Sequence, residues 1–402
     1  MKPKIIFFII DGLSGRPIPA LGNKTCLEAA KNPHFDFLAF GGQSGLLIPL
    51  PGEEHPSSET AHFAIFGYDL KDEFPGRGPL EALGLNIPLE GNEIIFRANF
   101  ATLDRNGNLK DVRAGRIKDT NALCQAIDNI EIEGVIFKIY PSLEHRAVVV
   151  LRGEGITDQV WGNDPHKLPP FKIGVPLLPF KPKKETKEAI FTANILEKYI
   201  HKVQEILKNH PLNLEREKNS QEPANTLLLR EGGKFFKVTS FEERWQVKAC
   251  CVAGAPLYKG IGRFLGMDVF EVKGADGTPQ TDLAGKFQKA SKLLKFYDFV
   301  FLHVKACDLF GEDGNCEGKI QFIEKIDNFL PILMESDFTK LIITADHSTP
   351  CILKAHSGDP VPCLIYDREN QDETKRFTEK EALFGGLGKL QGSELLKLIL
   401  EK

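Results

Sequence analysis

The sequence has little net charge of either sign, and that shortage excludes a first class of partners. Charged residues make up 26% of the 402, yet they sum to only -4. No global basic field of the kind that nucleic-acid binding needs is present. A small anionic substrate would have to be held by local lysines and arginines. Cysteine pairs at metal or redox spacing are also missing. The eight cysteines (Cys26, Cys124, Cys250, Cys251, Cys307, Cys316, Cys351, Cys363) are scattered without a Cys-x-x-Cys. That is the usage of reduced thiols in a cytosolic protein, and it assigns them no chemistry. No apolar run approaches the roughly 20 residues of a membrane span. The run Ile5 to Ile10 is too short for the apolar region of a secretion signal and ends at once in Asp11-Gly12. A cytoplasmic protein without nucleic-acid or membrane partners is expected. Internal repeats and low-complexity tracts are absent too. Since 402 residues exceed what one hydrophobic core usually supports, two domains are expected.

What is present begins with Lys4 to Ile10, a continuous β-prone run of the sort that becomes a strand covered on both faces. Asp11 then lies at its carboxyl end, although an isolated Asp-Gly also simply starts turns. Thr25 to Lys31 reads as a short helix with Thr25 and Glu28 as a capping box. A Pro-, Gly- and Ser-rich loop, Pro49 to Ser58, runs into the helical stretch from Ser58 to Gly67. Ser58 at a helix N-terminus has two readings. It is a cap, or it is a hydroxyl whose ionised form, like a phosphate, is favoured by unpaired N–H groups and the helix dipole. Gly76 to Pro79 then presents Arg77 on a turn, and Leu80 starts another helix.

From about Asn92 the texture changes. Ile94 to Leu103, Val135 to Tyr140 and Arg146 to Leu151 read as strands, with a helix near Asn121 to Ile127. This is an α+β pattern of its own. Six arginines cluster in it (Arg97, Arg105, Arg113, Arg116, Arg146, Arg152), and several on one small domain suit a phosphate or carboxylate. A connection from Leu168 to Lys187 leads to a long amphipathic helix, Glu188 to Leu207. His210 to Pro223 reads as a polar loop, and Thr226 to Leu229 as a strand ending in Arg230. From Trp245, strands (Val247 to Val252, Val269 to Val272, Phe299 to Val304, Lys340 to Thr344, Val361 to Ile365) alternate with helices (Tyr258 to Leu265, Asp282 to Leu294, Glu317 to Leu333). That alternation predicts an α/β fold with a doubly wound, mostly parallel sheet. The first strand's partners lie beyond residue 245, so a split core (1–88 and 236–402) with a smaller α+β domain inserted at 89–235 is expected.

Several strand ends of that core carry candidate ligands. Lys340 to Thr344 delivers Asp346 and His347, with His356 nine residues after His347, at the sheet end where open α/β folds place ligands. Phe299 to Val304 leads into Asp308 and Glu312, four apart, so one helical bend aims both at one ion. With Asp11 these make four carboxylates and two imidazoles, a set suited to two divalent cations such as Mn2+ or Mg2+. A hydroxyl held between such ions is ready to attack phosphorus, and Ser58 is the candidate.

Asp11-Gly12, Ser57-Ser58-Glu59, Gly76-Arg77-Gly78-Pro79-Leu80-Glu81-Ala82, Arg113-Ala114-Gly115-Arg116, Asp164-Pro165-His166, His303-Val304-Lys305 and Thr344-Ala345-Asp346-His347-Ser348-Thr349-Pro350 occur in this order along nearly the whole chain. Together they resemble the archaeal-type cofactor-independent phosphoglycerate mutases of the alkaline phosphatase superfamily. The resemblance implies an alkaline-phosphatase-like fold. It also implies interconversion of 3-phosphoglycerate and 2-phosphoglycerate through a phosphoserine, without bisphosphoglycerate. Carried over by motif, Ser58 is the nucleophile. Asp11, Asp346 and His347 bind the ion that activates it, and Asp308, Glu312 and His356 hold the second. Lys259 touches the transferring phosphoryl group, Arg113, Arg116 and Arg230 grip the substrate, and the inserted domain closes over the core. One position departs from the pattern, since Glu312 stands where the family has a His ligand. Two alternatives follow: a related metallo-phosphotransferase such as a homoserine kinase, against which Gly78 argues, and a weakly active or non-catalytic paralogue, for which Glu312 argues.

Overall fold

The computed structural model describes residues 2–165 and 172–400. The chain divides into two units, Met1–Phe74 with Val238–Lys402, and Pro75–Lys237. The helix Arg77–Gly84, assigned to the core by the expected boundary at residue 88, lies in the second unit. Glycine explains its placement: a Cβ on Gly78 would lie 2.0 Å from the carbonyl oxygen of Ile95, so only glycine lets this helix lie against the strand Ile94–Leu103. The helix starts at Arg77 rather than at Leu80.

In the first unit, the strand Ile5–Ile10 is buried at every position, as six consecutive apolar residues require of a strand covered on both faces. It pairs in parallel with Phe299–Val304 on one side and Lys340–Thr344 on the other. Among the described residues the sheet has eight strands, in the order Asp268–Val269, Ala249–Val252, Phe299–Val304, Ile5–Ile10, Lys340–Thr344, Val361–Tyr366, Gln43–Ile48 and Gly388–Gln391. Val361–Tyr366 runs antiparallel to both neighbours, and the remaining pairings are parallel. The expected strand Val269 to Val272 is only two residues long. The helix expected over Glu317 to Leu333 is two helices, Cys316–Asp327 and Leu330–Met334. Pro331 explains the break: it cannot donate to the preceding turn, but it fits the opening turn of a new helix.

The second unit is antiparallel. Ile94–Leu103 pairs with Leu109–Asp111, Arg146–Arg152 and Thr226–Lys234, and Val135–Pro141 extends the sheet beyond Arg146–Arg152. Thr226–Lys234 continues past the predicted end at Leu229, so Arg230 sits within the strand, opposite Arg97. One face is covered by the helix Lys187–Lys208, capped by Thr186, whose buried stripe includes Ala189, Ala193, Leu196, Tyr199, Val203 and Leu207. Three- and four-residue spacing places these on one side, and Tyr199 stacks on Phe137 with ring centroids 4.3 Å apart.

The polar segment His210 to Pro223 is not a loop. It holds the helix Pro211–Lys218, capped by His210. Binary patterning misses it because side-chain hydrogen bonds, not an apolar face, hold it. Buried Asn213 donates to the carbonyls of Leu207 and Ala224, both at 2.9 Å, and accepts from the Ala224 N–H at 2.8 Å. Asn213→Ala removes the bonds to the N–H and carbonyl of Ala224 and one of the two to the Leu207 carbonyl, which keeps the His210 N–H. It is expected to destabilise this unit by roughly 2–4 kcal/mol, read as a lowered denaturant midpoint, with the first unit's transition unmoved. No helix among the described residues is long and apolar enough to cross a membrane.

Candidate active site

Three parallel strands bring the distant candidates together. Register pairs Ile10 with Val304 and Ile9 with Thr344, so Ile5–Ile10, Phe299–Val304 and Lys340–Thr344 end side by side. Asp11 follows the first, the helix Ala306–Asp313 carrying Asp308 follows the second, and Asp346-His347 follows the third. Asp11, Asp346 and His347 form one group whose ligand atoms all lie within 4.8 Å of one another. Asp308, His347 and His356 form another within the same limit. His347 therefore belongs to both. Its Nε2 is 3.4 Å from Asp11 Oδ1, 3.4 Å from Asp346 Oδ2 and 3.1 Å from Ser58 Oγ.

The surrounding hydrogen bonds fix which ring nitrogens are free. The Thr349 hydroxyl donates to Asp308 Oδ1 at 2.7 Å. Its single proton is then used, so it accepts from His347 Nδ1–H at 3.1 Å. That leaves the lone pair of His347 on Nε2, where the carboxylates and Ser58 converge. Likewise His356 Nδ1–H donates to the Pro56 carbonyl at 2.8 Å, and its Nε2 meets Asp308 Oδ1 at 3.2 Å. The two imidazoles stack with centroids 3.7 Å apart. Asp346 Oδ1 accepts from the N–H groups of Gly12 (3.2 Å) and His347 (3.1 Å). Gly12 has φ +64°, and a Cβ there would come 2.6 Å from Thr349 Oγ1 and 2.7 Å from Asp308 Cα. Glycine is what allows the Asp11 turn to close against Asp308.

The buried charges leave the site short of positive charge at defined atoms. Lys305 Nζ lies 3.1 Å from Asp11 Oδ2, 2.9 Å from Asp308 Oδ2 and 3.1 Å from the Tyr258 hydroxyl, which itself donates to Asp11 Oδ2. Burial opposes the Lys305 charge, but Asp11 and Asp308 outweigh it and keep the ammonium protonated. His62 Nδ1 lies 3.6 Å from Asp346 Oδ2, but burial and the adjacent Asp11 outweigh His62 and Lys305 there and push the Asp346 carboxyl up to about 7. Asp11 Oδ1 and Asp346 Oδ2 are both buried without a hydrogen-bond partner, an arrangement costly without a cation and suited to one. Burial and His356 hold the His347 imidazole down at about 3, neutral and able to ligate. The mixed carboxylate and imidazole donor set fits a divalent metal.

Ser58 is buried at the start of the helix Ser58–Ile65, but it is not the cap. Ser57 holds that position, accepting from the Thr60 N–H. The hydroxyl of Ser58 is thereby released to face His347. Ser57→Ala is expected to lower stability by about 1 kcal/mol, the usual cost of a lost cap, with turnover kept within a few-fold. Parallel thermal melts and activity assays check it.

The other sequence-derived candidates are distributed less evenly. Glu312 is partly exposed, its carboxylate 3.9 Å from His356 Nε2, and the three-residue group around Asp308 is completed by His347 instead. Lys259 pairs with Glu271 at 3.0 Å. Arg113, Arg116 and Arg230 belong to the second unit, where Arg230 pairs with Asp164. The Arg113 turn is pinned by Asp111, which accepts from the N–H groups of Arg113 and Gly115. Arg97 is buried there. Desolvation and then the nearby Arg77, Arg146 and Arg230 push its guanidinium down to about 9. Burial and the same arginine group, with Arg113, hold His145 at about 2. This concentrated cationic cluster matches an anion's requirements. His166 lies outside the described residues. The sequence reading assigns no role to Lys305, Tyr258 or Thr349, and it counts Arg97 but not Arg77 in the arginine cluster. A lysine directly after a buried strand, in His303-Val304-Lys305, was the available signal for the first.

The metalloenzyme superfamily matches residues 3–402. A Thermoplasma volcanium protein named 2,3-bisphosphoglycerate-independent phosphoglycerate mutase is 40% identical over 399 residues, covering 99% of this chain and 96% of that one. A Pyrococcus furiosus protein of the same name is 40% identical over 406 residues, covering 99% and 97%. Among solved structures, a Pyrococcus horikoshii protein superposes with a TM-score of 0.83 at 36% identity, covering 100% of this chain and 97% of that one. The cofactor-independent phosphoglycerate mutase of Thermoplasma acidophilum does so with a TM-score of 0.66 at 34% identity, covering 100% and 99%.

Proposed function

The chain belongs to the 2,3-bisphosphoglycerate-independent phosphoglycerate mutases of the metalloenzyme superfamily, and from that premise we propose that it interconverts 2-phosphoglycerate and 3-phosphoglycerate through a phosphoserine at Ser58. It is an isomerase, with the alkaline-phosphatase-like core expected of such enzymes. The observation that carries the reading is the position of Ser58 Oγ, 3.1 Å from Nε2 of His347, the residue that both ligand groups include.

Asp11, Asp346, His347 and Ser58 would hold one divalent cation, and Asp308, Glu312 and His356 the other, Mn2+ or Mg2+ in each case. Such ions supply Lewis-acid charge that acidifies a hydroxyl and balances phosphoryl oxygens. The protein's own groups do the rest. Ser58 Oγ loses its proton and attacks phosphorus, and the bond from phosphorus to the glycerate oxygen breaks as that oxygen takes up a proton. The other glycerate hydroxyl then attacks the phosphoserine, which restores Ser58. Lys305 keeps Asp11 and Asp308 ionised. Thr349 and the Pro56 carbonyl hold the imidazoles in the ligating tautomer. Within the second unit, Arg77, Arg97, Arg146 and Arg230 form a cationic cluster suited to an anionic group. The enzyme acts on a small molecule in the cytoplasm.

Purified protein with Mn2+ is expected to convert 3-phosphoglycerate in an enolase-coupled assay without added bisphosphoglycerate. No turnover with Mn2+, Mg2+ or Co2+ would overturn the reading. Glu312→His is expected to shift metal preference toward softer ions, with turnover in the preferred metal changed by less than about tenfold. A gain of orders of magnitude would instead mark the natural second site as impaired.

A further inference from the structure

A third group of ligands lies apart from the two that serve Ser58. The sulfurs of Cys26, Cys316 and Cys351 all lie within 4.8 Å of one another, and Cys26 Sγ is 3.8 Å from Cys351 Sγ. These residues are hundreds of positions apart in part, so no spacing motif announces them. Cys26 opens the helix Cys26–Ala29, Cys316 opens the helix Cys316–Asp327, and Cys351 follows Pro350 in the segment between His347 and His356. We propose that Cys26, Cys316 and Cys351 form a trithiolate site for one soft d10 cation of the zinc class.

Four observations converge on this. Zinc bound tetrahedrally to thiolates at about 2.3 Å holds its sulfurs about 3.8 Å apart, which is the separation found between Cys26 and Cys351. Sulfur ligands select such ions, whereas the oxygen-rich groups around Ser58 suit harder ones. Charge is provided for: the buried Lys319 ammonium donates to the carbonyls of Ser14 (3.0 Å) and Thr349 (2.9 Å) beside the thiols. Three thiolates and a divalent cation carry one net negative charge, which one ammonium neutralises. Access is provided as well, because Cys316 is partly exposed while Cys26 and Cys351 are buried.

Binding forms three metal–sulfur bonds and releases the thiol protons to solvent. It would tie the segment bearing His347 and His356 to two separate helices. Thr349 links the sites directly, since its carbonyl accepts from Lys319 while its hydroxyl bonds Asp308 and His347. The consequence is a structural clamp on the catalytic ligands, made of a different metal from theirs.

The test uses the reduced, Mn2+-loaded full chain titrated with Co2+. Thiolate ligation gives a near-ultraviolet sulfur-to-cobalt charge-transfer band that carboxylate and imidazole sites cannot give. The band is expected to saturate at one equivalent, to be displaced by Zn2+, and to disappear in Cys351→Ser. Cys316→Ser, at the more exposed position, is expected to fold normally and to weaken Zn2+ binding by about tenfold or more. Wild-type protein without the band overturns the proposal. So does a band that survives both substitutions, or a Cys26–Cys351 disulfide in protein kept under reductant.

Discussion

Ser58→Ala is expected to lower the turnover of 3-phosphoglycerate by roughly four orders of magnitude or more, while the thermal midpoint moves by no more than about 2 °C. The two halves of this result follow from different residues. Stability is spared because Ser57, not Ser58, caps the helix. The substitution removes one hydroxyl whose hydrogen bond to His347 is worth about 1 kcal/mol. Activity is lost because the substitution removes the attacking oxygen that faces His347 Nε2. The mirror-image variant, Ser57→Ala, loses stability and keeps turnover. An enolase-coupled assay beside a melting curve, run on both variants, separates the roles. A Ser58→Ala protein within tenfold of wild type would remove Ser58 from the chemistry.

The second large effect concerns the cation sites. Stripping divalent ions from the wild-type protein with a chelator is expected to abolish turnover. It should also lower the thermal midpoint by roughly 5–10 °C, the loss expected when a ligand worth about 3 kcal/mol is withdrawn. Asp346→Asn tests the origin of that loss. Asn keeps an oxygen for the Gly12 and His347 N–H groups that Asp346 Oδ1 now accepts. It replaces the unpartnered Oδ2 by an amide nitrogen that cannot coordinate a metal. Turnover is expected to fall by about a thousandfold or more, and the chelator response of the midpoint should shrink to the part contributed by the site of Asp308 and His356. The metal-free variant should also melt above metal-free wild type, because one of two facing buried carboxylates is gone. The enolase-coupled assay reads the first outcome, and scanning calorimetry with and without chelator reads the other two. A chelator response retained in full by Asp346→Asn would remove Asp346 from the cation site.

Features governed by local periodicity or strand-end position were legible in the sequence. Six apolar residues from Ile5 to Ile10 could only form a covered strand, and that strand fixes where Asp11 goes. Asp346-His347 at the end of Lys340–Thr344 and Asp308 after Phe299–Val304 followed from the same rule, and parallel pairing brought them together. What depends on partners distant in sequence was not legible. The helix Pro211–Lys218 rests on Asn213 bonding two carbonyls, one in the helix before it and one in the segment after it, so its polar composition read as a loop. Arg97 and Arg230 became neighbours only through antiparallel register. The two readings of Ser58 could not be separated until Ser57 was seen to accept the capping hydrogen bond. The cysteines carried no spacing signal, since their meeting is produced by the fold alone.

The proposed reaction requires Ser58 to carry the phosphoryl group between the two glycerate hydroxyls. Rapid acid quench of the Mn2+-loaded enzyme during turnover, followed by peptide mass analysis, tests it directly. The expected result is one phosphoryl group on the peptide containing Ser58, present during turnover and absent from Ser58→Ala. Full turnover with that peptide unmodified at every quench time, or with the phosphoryl group on another residue, would contradict it.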